Sequence, residues 1–549
     1  MALELSGDPQ LVTRSPYNAA VQFVDRRVEE GMGNRIAFLH EDGQTTYAEL
    51  YGAVNQAGNL FRDLGVQMED RVALLCYDSI EFVSAFFGAV KVGAVPVPTN
   101  TMLSAADYLY ILNDCRACVA VVEEALWPQI AGLVNQLPYL RCALIIQRDD
   151  SAVEQLSSHD RSPCALLDFR EAVARMPREL VPANTLYDDM GFWLYTSGST
   201  GRPKGVVHLQ HDMEVSFRNY AQSVLGVTQS DRLFSASKLF FAYGLGNGMY
   251  FPLGAGATGI LLRDKVTPER VCEWVVKYRP TLFFGVPSLY AAIVEWCDRT
   301  QHVPDFSSVR YGVSAGEPLP AAVFHRFRSH FGVEILDGIG STEATHIYIS
   351  NRPGDIRPGS TGHVVPGYQV KIVDSEGRDV PPGEPGQLLL KGDSIAQGYW
   401  NLHQQTCSKF RGEWYVTGDR YYRDVDGYFY YCGREDDMLK SGGIWVSPIE
   451  VEATLLEHPL VVEAAVIGVK DAQGIEHPVA YVVLKDRSGA PEQVAEELRR
   501  HVRDRLAHYK CPKQFVFTDS LPKTVTGKIQ RFKLRETAEQ GLEMLAKQE

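Results

Sequence analysis

From Asp78 to Pro98 the chain passes from a helix-like run, SIEFVSAFFGAVKVG, to the β-branched AVPVP, and similar switches of period recur through Cys297. Few folds accommodate that alternation. ACVAVV, CALIIQ, TGILL and TLFFGV are short apolar runs bounded by polar or turn residues. Strands apolar on both faces must be covered on both, so the pattern predicts parallel strands between helices, an α/β architecture. The helix within Ser79–Gly93 is expected to be amphipathic. No short repeat or low-complexity tract interrupts the pattern.

Beyond about Thr361 the texture changes. YQVKIVDSEGRDVPPGEPGQLLLKG and GEWYVTGDRYYRDVDGYFYYCG alternate residues between Gly, Pro and Asp, which predicts hairpins in a β-rich subdomain at about residues 361–433. After Gly433 the pattern returns to α plus β. A helix is expected at Pro448–Leu456, strands at Val461–Val469 and Val479–Leu484, and a charged helix at Glu492–Leu506. A boundary at Arg434–Asp437 would divide the 549 residues into 1–435 and a small unit, 436–549, long enough to fold by itself.

Lys and Arg number 54 against 68 Asp and Glu, a net charge of −14 that disfavours general affinity for nucleic acid or an anionic membrane. A polyanion would have to be held locally, by backbone N–H groups, a few cations and a metal ion. MALELSGDPQ lacks a basic segment followed by an apolar core, and no stretch approaches the ~20 apolar residues that span a bilayer; a cytoplasmic protein is expected. Cys76, Cys142 and Cys272 stand singly in apolar segments, as buried thiols of a reducing compartment do. Cys115 and Cys118 form a CxxC without a second pair or a nearby His cluster, so a zinc site is not expected.

YTSGSTGRPKG, from Tyr195 to Gly205, directly follows the apolar GFWL. Ser197, Gly198, Ser199, Thr200 and Gly201 are small enough for backbone N–H groups to converge on phosphate oxygens. The hydroxyls, Thr196 included, add donors, and Lys204 adds a charge. A Walker A loop cannot be threaded through it, since Lys204 lies between Pro203 and Gly205. Composition alone would equally suggest a surface turn.

The loop resembles the signature of the adenylate-forming superfamily, which comprises acyl- and aryl-CoA ligases, peptide-synthetase adenylation domains and firefly-type luciferases. DGIGSTE at Asp337–Glu343, YVTGD at Tyr415–Asp419, GREDD at Gly433–Asp437 and LPKTVTGKIQR at Leu521–Arg531 resemble the family's other core motifs, in its order, over roughly residues 15–535. The resemblance implies a large N-terminal domain of parallel and mixed sheets that binds ATP and the acid. It also implies a small mobile α+β C-terminal domain, with ATP, Mg2+ and coenzyme A as cofactor and co-substrates.

Activating a carboxylate with ATP brings two anions together, and two unit charges at about 4 Å repel by about 4 kcal/mol at an effective dielectric near 20. By resemblance, Glu343 holds Mg2+ on the phosphates and Thr342 hydrogen-bonds nearby. Lys528 bridges the acid carboxylate and the α-phosphate, with Thr196 and Lys204 completing the catalytic set. Standing alone, Lys528 would read as a solvated tail lysine. Asp419 matches the ribose-binding carboxylate and Arg434 braces the same sugar; a plain turn Asp is the alternative. Ser314, Ala315, Gly316, Glu317, Asp337 and Gly338 resemble the adenine walls, where Ile339 replaces the Tyr of many members and its stacking contact. Asp436 matches the hinge about which the C-terminal domain rotates. The Lys440-Ser441-Gly442-Gly443 loop then replaces Lys528 and lets the pantetheine arm pass, although a Gly turn between strands would look the same.

Amino-acid-activating members carry an Asp in the stretch that corresponds to Lys238–Gly246, which has no acidic residue here. A substrate amine is therefore not expected to be read there. Phe241 stands where many ligases carry His. KLFFAYGLGN, LDGIGSTE followed by His346, and SGGIWVSPIEVE resemble the benzoate–CoA ligase branch. A flat aromatic acid would fit a slot walled by Phe241, Ala242, Tyr243, Ala315, Gly316, Ile339 and Gly340, with His346 at its distal end, bonding a ring hydroxyl or serving as a core His. Ala344-Thr345 replaces the Met-Leu expected of that branch and leaves room for a ring substituent. His208, His211, Trp193 and Trp445 lie near motifs without a spacing that demands chemistry. Lys510, Lys513, Lys523 and Arg531 would meet the phosphates of CoA or form a solvated surface.

The expected activity is thus an AMP-forming aryl-CoA ligase acting on benzoate or a substituted benzoate. The competing readings are a stand-alone enzyme loading an aryl acid onto a carrier-protein thiol, a CoA ligase for another carboxylic acid, and a non-catalytic nucleotide sensor. A homodimer is left open.

Overall fold

The structure, a computed structural model, describes residues 15–148, 164–196, 202–434, 438–441, 444–470, 476–485, 490–523 and 529–546. The strands Val95–Pro98, Arg71–Leu75, Ala117–Glu123, Cys142–Ile146 and Ala165–Asp168 lie side by side in that order, all parallel. Every residue of Ala117–Glu123 and of Cys142–Ile146 is buried, as the unbroken apolar runs require of strands covered on both faces.

A second sheet runs from His363–Val364 through Ile347–Ser350, Ile335–Gly340, Tyr311–Ser314, Leu282–Gly285, Arg232–Ser235, Thr258–Ile260 and Ile36–His40 to Gly43–Thr46. Its middle is parallel and its ends are antiparallel. Register places Gly285 beside Ser314 and Ser314 beside Asp337. The carboxyl ends of these parallel strands therefore lie in one row, the usual ligand position in such sheets.

The helix in Ser79–Gly93 departs from its expected amphipathic character. It spans Ile80–Lys91, capped by the Ser79 hydroxyl, and every residue from Phe82 to Lys91 is buried. The buried Lys91 is neutralised by Asp25 at 2.6 Å and bonded to Asn55 at 2.6 Å. Cys76, Cys142 and Cys272 are buried free thiols, as are Cys115 and Cys118, which donate to the Leu112 and Arg71 carbonyls.

Three antiparallel strands, Gly398–Tyr399, Lys204–Leu209 and Met190–Thr196, flank the loop at 197–201. The β-rich part pairs Gln369–Val373, Gly386–Lys391, Trp414–Arg423 and Phe410–Arg411, with Phe429–Arg434 added to Trp414–Arg423. Gly386–Lys391 alternates buried and half-buried residues, the period-two pattern of one covered face.

Beyond the boundary region, a hairpin joins Leu439–Ser441 and Ile444–Val446. The helix Pro448–Leu456 follows, then the paired strands Val461–Lys470 and Glu476–Leu484, joined by Gln514–Phe517. The charged helix spans Pro491–Arg503; Pro491 fits its first turn, where an N–H would be unpaired anyway. Val451, Leu455, Val466, Ala480, Val482 and Leu498 belong to a core separate from the larger ones. No helix among the described residues is long and apolar enough to cross a membrane.

Candidate active site

Thr196 ends one strand and Lys204 begins the next, and the two pair across the hairpin. Ser197, Gly198, Ser199, Thr200 and Gly201 lie outside the described residues, as do Asp436, Gly442, Gly443 and Lys528. Lys440 and Ser441 contribute backbone to the hairpin Leu439–Ser441. Strand pairing between Lys204–Leu209 and Gly398–Tyr399 brings Tyr399 over Lys204, with Nζ 4.8 Å from the ring centroid. The Tyr399 hydroxyl donates to Glu343 Oε1 at 2.7 Å. Burial lowers the pKa of Lys204, and nearby Glu343 acts in the opposite sense.

Thr342, Glu343 and Ala344 form one short 3-10 turn, capped by the Ser341 hydroxyl accepting from Ala344 N–H. The Glu343 carbonyl accepts from Ala396 N–H at 2.8 Å. Thr345 then takes φ 71 and ψ −44, a left-handed conformation that costs a β-branched residue about 1–3 kcal/mol. Its hydroxyl donates to the Ser394 carbonyl at 2.8 Å, so that group is committed within the protein. This reversal lets residues three apart, Glu343 and His346, serve different surroundings.

Asp419 is buried and pairs with Arg434, its partner in strand register, at 3.2 Å. That carboxylate raises the pKa of the Arg434 guanidinium. Gly418 between them and Thr417 has φ +80, and a Cβ there would lie 3.2 Å from both Arg434 Nη2 and Lys409 Nζ. The TGD turn therefore needs glycine, and its geometry turns the Asp419–Arg434 pair toward the cationic neighbourhood of Lys204 and Lys409.

Ser314 and Asp337 are buried at adjacent strand ends, and the Leu319 N–H donates to Asp337 Oδ2 at 3.4 Å. Burial pushes the Asp337 carboxyl up to about 8. The folded protein thus keeps a proton that the unfolded chain releases above about 3.8. Its contribution to stability is full below that pH, falls by roughly 1.4 kcal/mol per unit across the interval, and is lost above about 8. Asp337→Asn is expected to flatten the decline of thermal midpoint between about pH 5 and about pH 8; an unchanged decline contradicts the assignment.

The Tyr243 hydroxyl donates to the Val313 carbonyl at 2.9 Å, fixing the helix Ala242–Leu245 across the strand ends. His346 is 2% exposed, with its ring centroid 4.5 Å from Phe251, 5.4 Å from Tyr220 and 5.5 Å from Tyr243. Neither ring nitrogen completes a hydrogen bond, and burial drives its pKa down to about 3, so the imidazole is neutral. A Cβ on Gly246 would lie 2.6 Å from His346 Cδ2, and one on Gly340 would lie 2.6 Å from the His346 carbonyl oxygen. The structure therefore brings Tyr243, Gly340 and His346 together. Ala242, Tyr243, Ala315 and Ile339 share one apolar cluster. Gly316 follows at φ +95. Phe241, which precedes the helix Ala242–Leu245, packs edge-to-face on Phe240 at 4.6 Å.

The sequence reading missed Tyr399, Tyr220 and Phe251, whose contacts join segments far apart in the chain. It also passed over His208, which is completely buried and links Asp212 to the Thr342 carbonyl. Lys510, Lys523 and Arg531, considered for CoA phosphates, each meet a carboxylate: Glu450 at 2.7 Å, Glu463 at 2.5 Å and Glu452 at 2.7 Å.

Cationic and carboxylate groups about Lys204 and Glu343, with a buried aromatic cluster about His346 beside parallel strand ends, fit a class of nucleotide-dependent enzyme, and sequence comparison agrees. The profile of the AMP-binding enzyme family matches residues 24–400, and that of the AMP-binding enzyme C-terminal domain matches residues 450–528. The chain belongs to this family, in the branch of the benzoate–CoA ligases. It is 43% identical over 529 residues to the benzoate–CoA ligase of Thauera aromatica, covering 96% of this chain and 97% of that protein. Identity to the 4-hydroxybenzoate–CoA/benzoate–CoA ligase of Rhodopseudomonas palustris is 41% over 529 residues, 96% and 95% of the two chains. The crystal structure of an anthranilate CoA ligase in complex with anthranoyl-AMP matches with a TM-score of 0.89 at 40% identity, covering 96% of this chain and 98% of that one.

Proposed function

We propose that the protein is an AMP-forming aryl-CoA ligase that converts benzoate or a substituted benzoate, ATP and CoA to aryl-CoA, AMP and pyrophosphate through an acyl-adenylate. The observation that carries this reading is the segment Asp337–His346, which sets Glu343 beside Lys204 and buries His346 against Tyr243. On this reading one stretch of chain serves both phosphate chemistry and aryl recognition. The relatives named for benzoate and 4-hydroxybenzoate, and the anthranoyl-AMP of the structural neighbour, support an aromatic acid.

In the first step an oxygen of the acid attacks the α-phosphorus and the bond to pyrophosphate breaks. Lys204 and the hydroxyls of residues 196–200 hold the phosphates, while Asp419 and Arg434 hold the ribose. Glu343 with substrate phosphate oxygens forms the hard-oxygen donor set that suits Mg2+, which would offset phosphate charge there. Lys528 neutralises the approach of the two anions. In the second step the CoA sulfur attacks the acyl carbon and AMP leaves with the bonding pair. Before that attack the domains 1–435 and 436–549 reorient about Asp436, bringing Lys440–Gly443 to the site. A cytoplasmic setting, with small molecules rather than nucleic acid or membrane as partners, belongs to the same reading.

The slot makes a specific demand on Gly246. Gly246→Ala forces its new methyl group into the His346 ring and the ring into the slot. Overpacking of this kind costs ~1–3 kcal/mol, so KM for benzoate is expected to rise roughly tenfold or more. KM for ATP should be unchanged; a parallel rise in both would contradict the assignment.

Pyrophosphate release over benzoate, its hydroxy and amino derivatives, cinnamates and medium-chain fatty acids, with CoA or a phosphopantetheinylated carrier as acceptor, tests the reading. Benzoates with CoA should give thioester. Preference for fatty acids, or transfer to the carrier alone, would overturn it.

A further inference from the structure

His208 lies on the strand Lys204–Leu209, four residues from Lys204 and on the same face by strand period. That strand carries Lys204 to the phosphate end of the site, and at its other end the His208 ring reaches across to the turn that bears Glu343. Nε2 lies 2.8 Å from the Thr342 carbonyl oxygen and Nδ1 lies 2.7 Å from Asp212 Oδ2. Both ring nitrogens thus face acceptor oxygens. Asp212 is itself held by the Leu209 N–H at 3.1 Å, and the ring stacks on Phe192 with centroids 4.7 Å apart. His208 and Asp212 are both completely buried.

Burial of His208 against Asp212 is by itself poor evidence for stabilisation, because desolvation offsets the attraction of buried polar partners. Its geometry offers a different use. The turn Thr342–Ala344 is followed by strained Thr345 and needs external anchors to keep one conformation. Ala396 N–H holds the Glu343 carbonyl and Tyr399 holds its carboxylate. His208 holds the preceding peptide and refers it to the strand that bears Lys204.

We infer that His208 is a positioning residue that, through the Thr342 carbonyl and with Asp212 behind it, sets the Glu343 carboxylate at the spacing from Lys204 needed to bind a divalent cation together with the nucleotide phosphates. The inference rests on the reading of Glu343 as the cation-binding carboxylate. It concerns a residue outside the set that touches nucleotide or acid.

Two amides that differ by one methylene separate this role from core packing. In His208→Asn the amide reaches the Nδ1 position and keeps Asp212 but loses Thr342. In His208→Gln it reaches the Nε2 position and keeps Thr342. ATP affinity is measured by titration calorimetry with magnesium and with excess chelator, for the wild type, both variants and Glu343→Gln. The wild type should bind ATP more tightly with magnesium. His208→Asn should lose at least fivefold of that enhancement, and His208→Gln should keep most of it. The same ordering is expected in the magnesium concentration for half-maximal adenylation.

Equal behaviour of the Asn and Gln variants, whether both retain or both lose the enhancement, would overturn the positioning role. If Glu343→Gln loses the enhancement while His208→Asn keeps it, the inference fails and the reading of Glu343 stands. If Glu343→Gln keeps it, that reading fails and the inference falls with it.

Discussion

Lys528→Ala is expected to abolish acyl-adenylate formation while largely sparing thioester formation from a supplied acyl-adenylate. The physical ground is the encounter of two anions. At about 4 Å and an effective dielectric near 20 their repulsion is about 4 kcal/mol, which corresponds to roughly three powers of ten in rate. A lysine bridging the carboxylate and the α-phosphate offsets that term only while both are charged. Once the mixed anhydride exists, the carboxylate charge has gone and the lysine has no such task. Rapid-quench assays of the separate half-reactions measure both rates. Equal loss in the two would contradict the bridging role.

Gly443→Leu is expected to do the reverse. If the loop Lys440–Gly443 replaces Lys528 and lines the path of the pantetheine arm, a branched side chain stands where the thiol has to pass. Overpacking of ~1–3 kcal/mol would slow thioester formation by roughly tenfold to a hundredfold while leaving adenylation intact. Normal transfer to CoA would show that this loop does not line the path. Together the two substitutions separate half-reactions that share one site, which a single rigid arrangement could not allow.

The sheets were legible because burial on both faces leaves no room for polar alternation, and Ala117–Glu123 shows this residue by residue. Burial of the whole helix Ile80–Lys91 was not legible, because the counterion of Lys91, Asp25, comes from far away in the chain. The motif residues around Asp337, Glu343 and Asp419 were legible as residue types. Their electrostatic states were not, since the proton on Asp337 follows from burial at a strand end that spelling alone does not place. Thr345 was read as a small neighbour that leaves room for a substituent, and its positive φ was not legible. Threonine rarely adopts a left-handed conformation, and only the surrounding bonds make it stable here. Tyr399 gave no signal because Lys204 and Glu343 come from segments far away in the chain, and His208 because the Thr342 carbonyl does.

Exchange of labelled pyrophosphate into ATP, with purified protein, magnesium and no CoA, tests most directly whether one nucleotide is joined to an acid at this site. The account predicts exchange that requires benzoate or a ring-substituted benzoate and disappears in Lys528→Ala. Absence of exchange with every member of a broad panel of carboxylic acids would contradict it.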